Sequence, residues 1–147
     1  MKGNVPMNVS HAETFGHTLH TTHVWLNDLM DELSWDDHHR TYLALKASLH
    51  ALRDRLTVEE VAHMGAQLPM LIRGFYYEGW SPAGKPLKER HKDDFVGHVR
   101  KYFRNDEDVN PEAIVRAVFR VLSKRVTEGE IEDIKHILPP ELRALWP

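Results

Sequence analysis

The 147-residue sequence contains no cysteine and no apolar run long enough to span a membrane. Without cysteine, the chain cannot form disulfides, thiolate nucleophiles or cysteine-ligated zinc sites. A membrane-spanning helix needs about 18 to 20 consecutive apolar residues, so we expect no membrane partner. The first ten residues lack the charged and apolar regions of a signal peptide, and we therefore expect a cytoplasmic protein.

Positive charge and known catalytic motifs are also scarce. The formal net charge is −3, whereas a dedicated nucleic-acid binder normally has a basic surface, so we expect no nucleic-acid partner. The sequence has no phosphate-binding glycine loop, no Gly-x-Ser-x-Gly elbow and no His-Glu-x-x-His motif. We therefore predict no catalytic residue and no cofactor, and leave open whether the protein is an enzyme.

The most prominent positive feature is an internal repeat. Residues 52–73 align without a gap on residues 122–143, at a constant offset of 70. The identical positions are Leu52, Arg55, Thr57, Glu60, Leu68, Pro69 and Arg73, which recur as Leu122, Arg125, Thr127, Glu130, Leu138, Pro139 and Arg143. The repeat predicts two tandem units, at about residues 10–80 and 87–147, which pack face to face as a single domain of residues 1–147.

Several of the repeated residues are typical of helix starts. Thr57-x-x-Glu60 and Thr127-x-x-Glu130 match the capping box, in which the hydroxyl and the carboxylate each bind a free backbone amide. This role accounts for the two glutamates, and we interpret them as structural rather than catalytic.

Apolar residues recur at steps of three and four, which is typical of helices, and no useful stretch alternates with period two. Further helix starts are predicted at Ser10 and at Asn110-Pro111, and Pro69 and Pro139 suit the first turn of one more helix in each unit. The inner face of the first helix is predicted to carry Leu19, Leu26, Leu29 and Leu33. We therefore predict an all-α orthogonal helical bundle of two pseudo-symmetric units, with about four helices each.

The strings Leu49-His-Ala-Leu-Arg-Asp-Arg-Leu56 and Arg73-Gly-Phe-Tyr-Tyr-Glu-Gly-Trp80, with Gln67-Leu-Pro69 between them, resemble a family of small bacterial proteins. This family is known as domain of unknown function 2267. The resemblance runs from about Thr22 to Pro147, and the Arg-Gly-x-Tyr-Tyr-Glu-Gly-Trp motif is specific. It implies a bacterial, helical protein, and it brings neither an activity nor a catalytic residue.

The last predicted helix of each unit carries an arginine that no helix rule explains. Arg73 and Arg143 are either partly buried partners of a carboxylate across the unit interface or an anchor for an anion or a partner. The residues Tyr77, Glu78 and Trp80 after Arg73 have no counterpart after Arg143, whereas Tyr76 and Trp146 are equivalent core aromatics. This aromatic segment is either a plug between the units or an interface, because tyrosine, tryptophan and arginine dominate interface hot spots.

Histidines suggest a weaker, metal-binding alternative. His17 and His20 share a helix face, as do His91 and His98, and two such faces side by side could supply metal ligands. Glu60-x-x-His63 is similar to half of a di-iron bundle site. We exclude that site because Asp133 stands where a second histidine would be needed and because Glu60 is assigned to a cap.

Two functional hypotheses follow. The first is a non-enzymatic interaction or regulatory module that binds a protein partner or forms a homodimer through Arg73, Tyr76, Tyr77, Glu78 and Trp80. The alternative is a small-ligand or metal-binding protein or an enzyme, with its site between the two units, where Arg73 and Arg143 would converge.

Overall fold

The computed structural model describes the backbone from Asn4 to Pro147 and the side chains from Glu13 onward. In this range the secondary structure is entirely helical, which confirms the all-α prediction. No helix among the described residues is both long and apolar enough to cross a membrane. A single 3₁₀ turn, Lys101–Phe103, follows the fifth helix. The helices are α1 (Asn4–Leu33), α2 (His38–Arg53), α3 (Val58–Ala66), α4 (Met70–Tyr77), α5 (Lys92–Arg100), α6 (Pro111–Arg125), α7 (Glu128–Ile137) and α8 (Pro140–Arg143).

The helix starts follow local capping chemistry. The side chains of Thr57, Asn110 and Thr127 each accept a hydrogen bond from the backbone N–H three residues further on, at 3.2, 3.1 and 3.4 Å. This satisfies one of the amides that a helix start leaves free, and it confirms the three predicted caps. Pro69 and Pro139 stand at the cap positions of α4 and α8, one residue before the predicted first turn.

The first helix differs from its prediction. It begins at Asn4 rather than at Ser10, whose side chain lies outside the described residues, so the capping box predicted there is not described. Leu26 and Leu29 are buried as predicted, but Leu19 is 51% exposed. Among the described side chains of α1, from Glu13 onward, burial begins only near Trp25, because the neighbouring helices cover the C-terminal part of the helix.

Helices α1, α2, α5 and α6 form the centre of the bundle. Helices α2 and α6 contact each other, and α1 and α5 each pack against both of them. Helix α4 contacts α1, just as α8 contacts α5, and α3 meets α7. One hydrophobic core cluster includes side chains from all eight helices, so the junction between α3 and α7 lies beside a continuous apolar interior.

Candidate functional site

Arg73 and Arg143 close the ends of helices. Arg73 donates from Nε to the Gly65 carbonyl at 2.8 Å and from Nη2 to the Leu68 carbonyl at 2.9 Å. Arg143 makes the same two bonds, at 3.0 and 2.9 Å, to the carbonyls 70 residues further on. The interpretation of Arg73 and Arg143 as partners of a carboxylate across the unit interface is therefore wrong. Each arginine satisfies carbonyls that the end of the preceding helix leaves free.

The aromatic segment after Arg73 packs inward. Tyr76 is fully buried and donates to the Val61 carbonyl at 2.8 Å, while Tyr77 is half-buried over Gly65. Trp80 packs against Tyr77 with its ring centroid at 6.1 Å. Trp146 is buried as well, which confirms the predicted pair of equivalent core aromatics.

Glu78 is the outward-facing member of the segment and forms an ion pair with Lys46. A hydrogen bond from this lysine lowers the pKa of the Glu78 carboxyl. The next residue, Gly79, has a φ of +74°, the left-handed conformation that ends α4 and that glycine adopts without strain.

Helix α2 holds the backbone of the segment. Arg53 donates from Nη1 to the carbonyls of Tyr76 at 2.6 Å and Glu78 at 2.7 Å. The Nε2 atom of His50 lies 2.6 Å from the Phe75 carbonyl and must donate to it, so its Nδ1 accepts from the Tyr102 hydroxyl, also at 2.6 Å. Burial lowers the pKa of His50, in agreement with this neutral form.

The four histidines of the predicted metal site do not come together. His17 and His20 are exposed on α1. His91 lies 3.0 Å from a carboxylate oxygen of Glu141, and His98 lies 2.9 Å from one of Glu89. Contacts with nearby carboxylates thus account for His91, at the N-cap of α5, and for His98, within α5.

Gln67 accepts the hydrogen bond from the Thr127 backbone N–H that the predicted capping box assigns to Glu130. The Gln67 Oε1 atom accepts from the Thr127 backbone N–H at 2.9 Å, and its Nε2 donates to the Thr127 hydroxyl, also at 2.9 Å. The Glu130 carboxylate is therefore not needed for this cap, and half of the predicted capping box is wrong. The carboxylate is free to turn towards α3.

Glu60, His63 and Glu130 form a cluster where α3 meets α7, which we call the carboxylate–histidine site. One potential ligand atom from each residue lies within 4.8 Å of the other two, and no other such group of three or more occurs among the described residues. The Nδ1 atom of His63 is 3.7 Å from Glu60 Oε2. The structure therefore places side by side the two residues of Glu60-x-x-His63, which the sequence analysis excluded as a ligand pair.

The two carboxylates of this site are deeply buried, and one oxygen of each lacks a hydrogen-bond partner among the described residues. Glu60 is 8% exposed and Glu130 is 7% exposed. Glu60 Oε1 and Glu130 Oε2 have no hydrogen-bond partner in the described structure, a costly condition for buried polar atoms. The His63 side chain is 55% exposed and opens the site to solvent on one side.

Electrostatics at the site call for a positive charge. Burial, followed by the hydrogen bond and the charge of Glu60 and by the charge of Asp133, together raise the pKa of the Glu130 carboxyl to about 8. Two carboxylates this close cannot both ionise unless a cation lies between them. The pair must therefore either share a proton or bind a cation.

The site went unrecognised in the sequence because its members are 70 residues apart. The repeat nevertheless contains the signal, since Glu60 and Glu130 are equivalent positions. In the structure these two positions meet where α3 contacts α7, which brings two carboxylates together. A repeated carboxylate in the first turn of a repeated helix is thus a candidate for such a pair.

Fold and site together define a class of small all-helical proteins with a buried carboxylate pair and one histidine at a helix junction. Residues 22–145 match the family described as "Uncharacterized conserved protein (DUF2267)", and the chain belongs to this family. The matched range includes all three residues of the carboxylate–histidine site. No curated protein matches the chain.

Proposed function

We propose that this protein binds a divalent transition-metal ion at Glu60, His63 and Glu130, and that the ion fastens α3 to α7. The observation that supports this proposal is the pair of nine-tenths-buried carboxylates with unpartnered oxygens beside an imidazole. A dication would neutralise both carboxylates and supply the partner that their oxygens lack. The protein is then a metal-dependent regulatory module, in which the ion controls how firmly its two halves are joined.

The donor atoms select the kind of ion. Carboxylate oxygen and imidazole nitrogen together suit Zn²⁺, Mn²⁺, Fe²⁺ and Co²⁺. Mg²⁺ and Ca²⁺ prefer six or more oxygen ligands, and a site of two carboxylates and one imidazole does not offer them. We therefore expect transition-metal ions to bind in preference to Mg²⁺ and Ca²⁺.

The proposal includes the two-unit arrangement. Its support is that α3 and α7 begin 70 residues apart, as do α4 and α8. Arg73 and Arg143 bind carbonyls at equivalent positions, and the contacts of α1 and α4 have counterparts in those of α5 and α8. In this arrangement, the first four helices and the last four are the two units, and each contributes one of the paired glutamates.

An ion in this position would act through stability. A ligand that binds only the folded state stabilises it in proportion to the logarithm of its concentration over the dissociation constant. Because the ion bridges α3 and α7, its loss would loosen this junction before it affects the rest of the core. Metal-dependent protection of α3 and α7 is therefore the signature of the function.

The interaction hypothesis has less support. Tyr76 is buried, Tyr77 and Trp80 pack against each other and are half-buried, and the Arg73 guanidinium is bonded to carbonyls. Internal contacts thus account for most of the aromatic surface, although Arg73 and Glu78 are exposed. Self-association through Arg73–Trp80 and a cytoplasmic location stay predictions.

The experiment uses untagged protein, because an added histidine tag would itself bind metal. After dialysis against a chelator, the protein is titrated by calorimetry with Zn²⁺, Mn²⁺, Co²⁺ and Mg²⁺. We expect one transition-metal ion per chain, a rise in melting temperature, and loss of both in Glu60→Gln and Glu130→Gln. Glu128→Gln is the control, since this glutamate is exposed in the first turn of α7.

The outcome that overturns the proposal is equally clear. If none of these ions binds the wild-type protein, the two carboxylates share a proton instead. If an ion binds equally well in the two glutamine variants, it binds elsewhere on the chain. Circular dichroism of each variant verifies that it is folded.

A further inference from the structure

Asp133 has the same position relative to Glu130 as His63 has relative to Glu60. It stands three residues after its glutamate, one helical turn further along α7, just as His63 stands one turn further along α3. The offset between His63 and Asp133 is again 70. Each helix thus presents a buried carboxylate in its first turn, followed by a second metal-ligating residue type.

We infer that Asp133 is the fourth ligand of the ion, so that each helical unit supplies two ligands to one closed, four-coordinate site. This inference rests on the metal site proposed above and deepens it. It assigns the ion a structural role, because closed four-ligand sites hold structural zinc, whereas catalytic sites leave one position for water.

The helical spacing supports the assignment. Residues three apart on a helix are neighbours on its surface, with Cβ atoms about 5–6 Å apart. On α3 this spacing brings His63 Nδ1 to 3.7 Å from Glu60 Oε2. The same spacing on α7 puts Asp133 one turn after Glu130 and next to it on the helix surface, so a rotation of its side chain can turn the carboxylate towards an ion held by Glu130.

Asp133 is also available for this role. It is exposed, and within the described part of the chain it makes no hydrogen bond or ion pair. Its neighbour Glu132 instead pairs with Lys135 at 3.6 Å. A rotation of the Asp133 side chain towards the ion would therefore break no existing contact.

Charge balance is consistent with four ligands. Three carboxylates and a neutral imidazole around a dication give a net charge of −1, and Asp133 and His63 remain in contact with water on the exposed side. The two buried glutamates would hold the inner half of the coordination sphere. The two exposed residues would close its outer half and exclude a reactive water.

The test compares Asp133→Asn with Glu132→Gln, a neighbouring exposed carboxylate on the same helix. The dissociation constant for Zn²⁺ is measured by competition with a chromophoric chelator. We expect the affinity to fall at least about tenfold in Asp133→Asn, the range seen when support around a metal is lost, and to stay unchanged in Glu132→Gln. The visible absorption of bound Co²⁺ should also change in Asp133→Asn, because one ligand is replaced by water.

The failure of this inference differs from that of the proposed function. If His63→Ala weakens Zn²⁺ binding and Asp133→Asn changes neither the affinity nor the Co²⁺ spectrum, the site has three protein ligands and an open position. That result overturns the role of Asp133 and leaves the metal site intact. If the wild-type protein binds no ion, both proposals are wrong.

Discussion

Gln67 and Thr127 exchange two hydrogen bonds across the junction between α3 and α7. The glutamine side chain accepts from the threonine backbone N–H and donates to its hydroxyl, both at 2.9 Å. The equivalent of Gln67 in the second half is Ile137, which cannot make these bonds. The Gln67 amide thus joins α3 to the start of α7 at a point separate from the Glu60–Glu130 pair.

This asymmetry predicts unequal effects for two equivalent substitutions. Thr57→Ala removes only a helix cap and should lower the free energy of unfolding by about 1 kcal/mol. Thr127→Ala removes a cap and also leaves the Gln67 amide without its acceptor, so we expect a loss about 1 kcal/mol larger. Urea unfolding of both variants measures the difference. Equal losses would mean that the Gln67 bond contributes nothing.

The same residues show how far the sequence could predict the structure. The caps at Thr57, Asn110 and Thr127 were predictable because a cap involves residues only three apart. The predicted bond from the Glu130 carboxylate to the Thr127 backbone N–H is not formed. Gln67, which is 60 positions away in the sequence, accepts from this N–H instead. Local rules identify which group needs a partner, and the tertiary structure decides which group supplies it.

The candidate site could not be predicted for the same reason, because it depends on tertiary contacts that local sequence rules do not give. The repeat predicted that Glu60 and Glu130 are equivalent, but not that α3 and α7 meet at these residues. The sequence does not explain Arg73 and Arg143, because their partners are backbone carbonyls at the ends of α3 and α7, and only the structure locates these ends next to the arginines. The site could have been predicted only by asking which repeated residue lies next to its own copy.

The glutamate pair predicts a pH dependence for the metal-free protein. The pKa of Glu130 is about 8 in the folded state, above its ordinary value of 4.5, so the folded protein holds this proton more tightly than the unfolded chain does. Its contribution to stability is fully present below about pH 4.5 and is lost as the pH rises towards and through 8.

Urea unfolding in the presence of a chelator, between pH 5 and pH 9, measures this loss. Glu130→Gln is neutral at every pH and should show a flatter profile above pH 5. Glu60, His63 and Asp133 lie near this carboxyl in both proteins, and the comparison measures the pH dependence that the Glu130 carboxyl adds, including its coupling to these groups. Parallel profiles for the two proteins would contradict the assignment of the raised pKa to Glu130.

The contact between Gly65 and Tyr77 predicts that the effect of Gly65→Ala on stability changes sign when the Tyr77 ring is removed. A Cβ atom at Gly65 would overlap the phenol ring of Tyr77, so Gly65→Ala should destabilise the protein by about 1–3 kcal/mol. In a Tyr77→Ala background this overlap is absent, and the same change should stabilise α3 by about 0.5–1 kcal/mol, because alanine is the better helix former. Gly74→Ala is the control, since a Cβ there meets no atom within 4 Å and only the helix preference acts.

Thermal and urea unfolding of the four combinations of Gly65→Ala and Tyr77→Ala give the coupling energy between the two sites. A destabilising effect of Gly65→Ala that is unchanged in the Tyr77→Ala background would show that another neighbour restricts this position. A stabilising effect in both backgrounds would show that the tyrosine ring moves away at no cost.

Arg53 and Arg55 are both buried, but the Arg53 guanidinium is hydrogen-bonded and the Arg55 guanidinium has unpartnered nitrogens. Arg53 binds the carbonyls of Tyr76 and Glu78 and the carboxylate of Asp54. The Nε and Nη1 atoms of Arg55 have no partner among the described residues, and burial lowers its pKa. Methionine has a similar stem without the charge, so it separates the contribution of the charged group from that of the packing.

We expect Arg53→Met to lower the free energy of unfolding by about 3 kcal/mol, because it leaves two carbonyls at the end of α4 without donors. Arg55→Met removes a buried and poorly paired cation, so its stability should be equal to or up to about 2 kcal/mol above that of the wild type. Urea unfolding at neutral pH compares the two variants directly. If Arg55→Met is as destabilising as Arg53→Met, the Arg55 guanidinium has a partner in solution and its burial is not a cost to the fold.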